Sequence, residues 1–147
     1  MKKEVNIVEY MMKEHGKILA GLNVFQKSSR DKKEEIFKEL KEALEKHFFA
    51  EEKAIMMLES RGKKYKEMAI ILEQHEEINS LLEKVKRAEE NSKKEKEIIK
   101  KLIDLTKKHI ILENKKFYPR LDKDLESDEK EKVFEKLHSY IIGSIGV

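Results

Sequence analysis

DKKEEIFKELKEALEKHFFAEEKAIMMLES, residues 31–60, repeats one face of a helix for almost its whole length. From Ile36 the same side carries Leu40, Leu44, His47, Glu51, Ala54 and Leu58, in steps of three and four residues. That is the period of an amphipathic α-helix; a half-buried strand would alternate every second residue. No glycine or proline interrupts the run. Two positions on the apolar stripe, His47 and Glu51, are polar, and they raise the question of what the buried face holds.

Working outward, three further segments show the same stripe. The first reads Val8, Met11, His15, Ile18, Leu22, Phe25. The third reads Met68, Ile71, His75, Ile78, Leu82, Val85. The fourth reads Ile98, Leu102, Leu105, His109, Leu112, with Glu113 and Phe117 alongside. Breakers separate them. Ser28-Ser29-Arg30-Asp31, with Glu34 three residues after Asp31, reads as a turn and capping box, and Ser92 with Glu95 as another. Gly62 stands where a helix ends, Pro119 predicts a stop at or before Tyr118, and Ser127-Asp128 with Glu131 opens a last segment. These signals predict helices over roughly 4–27, 31–60, 64–90, 94–118 and 128–142. Short connections make neighbours antiparallel. The expected fold is all-α: an antiparallel up-down-up-down four-helix bundle with a short C-terminal fifth helix, one domain over residues 1–147, ending in a frayed Gly143–Val147 tail.

Composition agrees and excludes much. Charged residues make up 43% and hydrophobic ones 39%, with 5 Gly and 1 Pro, a mixture suited to long amphipathic helices. The absence of cysteine rules out disulfides, thiolate metal sites, Fe–S clusters and cysteine nucleophiles. The net charge of +3 and arginines only at 30, 61, 87 and 120 give no basic stripe for nucleic acid. No apolar run is long enough to span a membrane, and MKKEVNIVEY is no signal peptide, so the expectation is a cytoplasmic protein.

A lone histidine on an apolar face is usually a packing residue. Here four of the five histidines interrupt the stripes, one on each long helix. In an up-down bundle the first and third turns, near residues 29 and 91, lie at the same end. Counted from that end, His15, His47, His75 and His109 stand 14, 18, 16 and 18 residues away. At 1.5 Å per residue they fall within about 6 Å of one level. Apolar packing does not require that coincidence; a shared site does. Glu51 and Glu113 follow His47 and His109 by one turn, each 22 residues from the same end. Glu51 sits on the apolar stripe, where an uncompensated carboxylate would cost several kcal/mol, and a cation removes that penalty.

Four imidazoles and two carboxylates suit two metals, each taking two histidines while Glu51 and Glu113 bridge them. Mixed nitrogen and carboxylate ligation favours non-haem iron, with room left for a small ligand. Ile18, Leu19, Phe48, Ile71, Leu72, Leu105 and Leu112 are expected to line a dry pocket around it. Two similar motifs fail. His75-Glu-Glu-Ile-Asn79 lacks the second histidine of a zincin, and Glu135-x-x-His138 is a single copy of a motif that ferritin-type sites need twice. His138 is expected to be a surface or packing residue. No phosphate-binding glycine loop or serine elbow is present.

The ordered set His15, His47-Phe-Phe-Ala-Glu51-Glu52, His75 and His109-Ile-Ile-Leu-Glu113 resembles the haemerythrin-like, or His-His-Glu cation-binding, family over almost the whole chain. The resemblance implies two iron ions with a bridging oxo or hydroxo group. It makes His15, His47, His75 and His109 terminal ligands, and Glu51 and Glu113 bridging ones. The oxygen-carrying haemerythrins have His-x-x-x-His on the third helix and His-x-x-x-x-Asp on the fourth. Here Asn79 and Asn114 stand at the second positions of those motifs, and the acid is Glu113. The cysteine-bearing N-terminal segment of the iron-centre repair relatives is absent.

The expected function is therefore a ligand-binding di-iron protein for dioxygen or a related diatomic. Reduction of peroxide or nitric oxide, or iron handling, is the alternative, and the loss of one imidazole at Asn79 favours it. Expected partners are that small ligand and, for a reductive role, an electron-donor protein, with neither nucleic acid nor membrane; the chain is expected as a monomer or homodimer.

Overall fold

The computed structural model describes residues 5–143, which form an all-α bundle with no strand among them. Helices α1 (Ile7–Lys27), α2 (Arg30–Ser60), α3 (Lys66–Arg87) and α4 (Lys93–Leu112) are the long rods. A π-helical turn, Glu113–Phe117, carries α4 directly into α5 (Tyr118–Asp124), and α6 (Ser127–Gly143) follows. None of these helices is long and apolar enough to cross a membrane. The expected tail beyond Gly143 lies outside the described residues, and α1 starts at Ile7, later than the expected residue 4, because Asn6 is extended and caps it.

Local chemistry explains most boundaries. Asn6 caps α1, its side chain accepting from the Glu9 N–H. Gly62 ends α2 in the left-handed region at φ 79°, with its N–H on the Glu59 carbonyl and that of Lys63 on Leu58, the paired bonds of a Schellman stop. Ser92 accepts from the Glu95 N–H, while Glu95 reaches back one residue further than expected, to the Asn91 N–H.

Two further expectations need correction. α2 starts one residue early: Ser29 is the cap without a side-chain bond, and Asp31 falls in the first turn, where its charge still favours the helix dipole. Pro119 does not stop the fourth rod. It follows the π turn within the first turn of α5, a place where a missing N–H is tolerated, and the rod continues to Asp124. That extension anchors α1, because the Asp122 carboxylate accepts from the N–H groups of Ile7 and Val8 at 3.0 and 2.9 Å. α6 lies antiparallel along α2, with Glu129 4.0 Å from Lys63 at one end and Tyr140 against Phe49 at the other.

The buried core divides in two. One cluster, around Met11, Ala54, Leu58, Ile71, Phe117, Leu121 and Val133, fills the α5–α6 end. The other, around Ile18, Leu22, Leu44, Phe48, Ile78, Leu82 and Leu102, fills the opposite end. Along every long helix the residues between these clusters are the histidines and glutamates singled out above.

Candidate metal centre

One helical turn separates His47 from Glu51 on α2 and His109 from Glu113 at the end of α4, so each pair faces the bundle axis together. α1 contributes His15 and α3 His75. All six side chains are buried, with exposures of 4% for His47 and 0–1% for the others. Their ligand-capable atoms form two overlapping groups, each drawn together within 4.8 Å. One is His15, His47, Glu51 and Glu113; the other is Glu51, His75, His109 and Glu113. Both carboxylates belong to both groups.

Glu51 sits at the centre. Its Oε2 lies 3.3 Å from His47 Nε2 and 3.8 Å from His15 Nε2. Its Oε1 lies 3.0 Å from His75 Nε2 and 3.5 Å from His109 Nε2. Glu113 Oε1 spans the groups from the other side, at 3.1 Å from His15 Nε2 and 3.2 Å from His109 Nε2. Short as these separations are, His15 Nε2, His47 Nε2 and both Glu113 oxygens are buried without a hydrogen-bond partner. Buried polar atoms are normally satisfied. Four orphans converging from three helices are what a cation would complete.

A second layer orients the rings. His15 Nδ1 meets Asn114 Oδ1 at 2.7 Å, His75 Nδ1 meets Glu52 Oε2 at 2.8 Å, and His109 Nδ1 meets Gln74 Oε1 at 2.9 Å. Each oxygen accepts an Nδ1–H, which leaves Nε2 facing the cluster, the orientation a metal-binding imidazole requires. Phe48 stacks on the His75 ring, 4.0 Å between centroids. Tyr118 donates to Glu51 Oε2 at 2.6 Å. The π turn makes that bond possible: Glu113 and Tyr118, five residues apart, are both fully buried against the site.

Electrostatics describe the same cavity in its metal-free form. Burial alone would push His15 and His109 below the ordinary imidazole value. The Glu113 and Glu51 carboxylates outweigh it and raise both to about 10. For Glu51, burial pushes upward, yet His47, His109 and His15 together hold it well below the carboxylate range. Burial, followed by the charges of Glu113 and Glu51, lifts Tyr118 well above a free phenol, so it remains a donor. Two negative carboxylates thus attract protons to the imidazole nitrogens on which a cation would compete.

The structure brings all six predicted residues to one layer. Around them Ile18, Phe48 and Ile71 are buried as expected, and Leu19, Leu105 and Leu112 are half-buried. Leu72 is a correction: it is 36% exposed, because its neighbour Ile71 takes the inward position. Asn79 is exposed and supplies nothing to the cluster. His138 is an exposed packing residue, stacked on Phe134 and 3.2 Å from the Tyr10 hydroxyl. Sequence reading missed Glu52, Gln74, Asn114 and Tyr118. Three of them adjoin a predicted ligand in sequence, a signal that periodicity does not weigh.

The Hemerythrin HHE cation binding domain matches the sequence over residues 6–121, and again, overlapping, over 66–145. No curated protein and no solved structure matches the chain.

Proposed function

Because the chain belongs to the hemerythrin HHE cation-binding domain family, we propose that its buried cluster holds two iron ions and binds dioxygen or a related small ligand there. The observation that carries this reading is the overlap of the two ligand groups: two imidazoles each, with both carboxylates in common. His15 and His47 would hold one ion, His75 and His109 the other, and Glu51 and Glu113 would bridge them. Imidazole and carboxylate donors without thiolate suit non-haem iron. Bound iron would supply reversible electron transfer to a small oxidising ligand.

The protein's own part is to orient and to exclude water. Asn114, Glu52 and Gln74 fix three rings, and Tyr118 fixes the Glu51 carboxylate. The two apolar clusters close both ends of the layer, which keeps the site dry and favours an apolar diatomic. With Asn79 facing outward, neither ion would have a third imidazole, and this favours peroxide or nitric oxide reduction as the second reading.

The test is metal quantification joined to an anaerobic oxygen titration of the reduced protein. Two irons per chain and a visible charge-transfer band that reverses on deoxygenation are expected. Irreversible oxidation, with turnover of peroxide or nitric oxide in the presence of an electron donor, would replace the first reading with the second. Fewer than one metal per chain after iron-supplemented expression would reject both.

A further inference from the structure

The two halves of the cluster differ in how they meet the outside. A groove of about 440 Å³ runs along the α1–α2 face, walled by Ile18, Gly21, Leu40 and Ala43, with Ile141 of α6 also lining it. His47 belongs to its wall. The same ring presents its orphaned Nε2 to the cluster, so this imidazole touches both the groove and the cluster.

His47 is also the untethered ring. The Nδ1 atoms of His15, His75 and His109 are held by Asn114, Glu52 and Gln74, whereas among the described residues no hydrogen-bonding group stands on His47 Nδ1. Among the described residues its one close carboxylate contact is at Nε2, with Glu51 Oε2 at 3.3 Å, so a turn about χ1 and χ2 gives up nothing at Nδ1, and the groove lies beside the ring to receive it. His75 is the opposite case, with Nδ1 on a carboxylate and one face stacked on Phe48.

We propose that the cation on the His15/His47 side exchanges with solvent through the α1–α2 groove, with His47 swinging as its gate, while the cation on the His75/His109 side is retained. The proposal rests on the two-metal reading of the cluster and adds to it an order of release and a route. Hydrogen-bond partners that orient a ligand typically change metal affinity about 10–100-fold, and a difference of that size is expected between the two release rates.

The experiment loads the full chain with cobalt(II), whose visible bands report each ion, and then adds excess chelator. The expected course is biphasic, one ion leaving about 10–100-fold faster than the other. Ala43→Leu places a side chain in the groove one turn before His47, at an exposed helical position. Gly21→Leu fills it from α1, where an added Cβ meets Leu40 at an ordinary 3.5 Å. Either variant is expected to slow the fast phase by about tenfold, leave the slow phase unchanged and still bind two ions; two independent substitutions guard against one misfolding. Release of both ions in one phase, or a fast phase indifferent to both fillings, would overturn the proposal while leaving the two-metal site standing. Binding of fewer than two cobalt ions before chelator is added would overturn the site reading and the proposal together.

Discussion

The His75/His109 half of the cluster and the His15/His47 half are built from the same side-chain types, yet they are supported unequally. In the first, both rings are anchored at Nδ1, by the Glu52 carboxylate and the Gln74 amide, and Phe48 lies flat on one of them. Their Nε2 atoms stand only 3.2 Å apart. In the second, Asn114 anchors His15, His47 has no such anchor, and both inward nitrogens are unpartnered. Side-chain identity is thus shared, while preorganisation is not. The difference follows from which side chains the neighbouring helices supply: α3 and α4 bring Gln74 and His109 together and α2 turns Glu52 onto His75, whereas no described residue reaches His47 Nδ1 where α1 and α2 meet.

The strongest way to break this comparison is to remove what the halves share. Glu51 lies within 3.8 Å of all four Nε2 atoms. On the two-metal reading, Glu51→Ala is therefore expected to reduce metal content from two ions per chain to fewer than one, as measured by elemental analysis. Retention of both ions would show that Glu51 bridges nothing. Next comes separation of the halves. His47→Ala is expected to leave about one ion per chain with tight binding, because its own half was already the less supported. His109→Ala removes the better-held half and is expected to leave one weakly bound ion that a chelator strips readily. Identical behaviour of these two variants in a chelator titration would mean that the halves load as a unit and the contrast has no energetic content.

The residues that make the halves alike were legible in the sequence, and those that make them differ were not. His15, His47, His75 and His109 each replace an apolar residue in a strict three-four stripe, and chain length from a common end places them on one level. Helical rise is regular, so counting suffices. Glu52, Gln74 and Asn114 lie one residue from a residue of the cluster, off the centre of the stripe, and their role depends on which neighbouring helix comes within hydrogen-bond reach. Periodicity is silent on that. Tyr118 enters the site only because a π turn re-phases the fourth rod after Glu113, a local widening that also lets Pro119 pass without ending the helix. The groove depends on how far α6 runs along α2, which is set by tertiary packing.

A pH experiment examines the feature both halves keep in the absence of metal. His15 belongs to one half and His109 to the other, and both are raised to about 10 by Glu113 and Glu51 despite burial. A group whose pKa is higher folded than unfolded stabilises the fold fully below its unfolded value, near 6.5, and loses that contribution as pH rises through the folded value. The metal-free protein is therefore expected to lose thermal stability progressively from about pH 7 to about pH 10. If cations bind at the cluster they would replace those protons, and the same ramp in the metal-loaded protein should be much flatter. A metal-free melting temperature independent of pH across this window would remove the electrostatic account of the cavity.

The smallest effect expected reaches one half from a distance. α1 supplies a single residue of the cluster, His15, and its N-terminus is held by Asp122 of α5 through the N–H groups of Ile7 and Val8. Those N–H groups have no partner within the helix, and the carboxylate also opposes the positive end of the helix dipole. Asp122→Ala removes both interactions, and loss of a helix cap of this kind costs about 0.5–2 kcal/mol. His15 lies two turns along α1 from that cap, so the loosened end changes the depth and angle at which its ring meets Glu113. α3 and α4, which carry His75 and His109, have their own anchors. The variant should therefore melt at a lower temperature, still bind two ions, and release the faster one slightly faster, with the slower phase unmoved. A shift in the slower phase instead would mean that strain in α1 is transmitted through Glu113 to both ions, and the two halves would then be one mechanical unit with unequal walls.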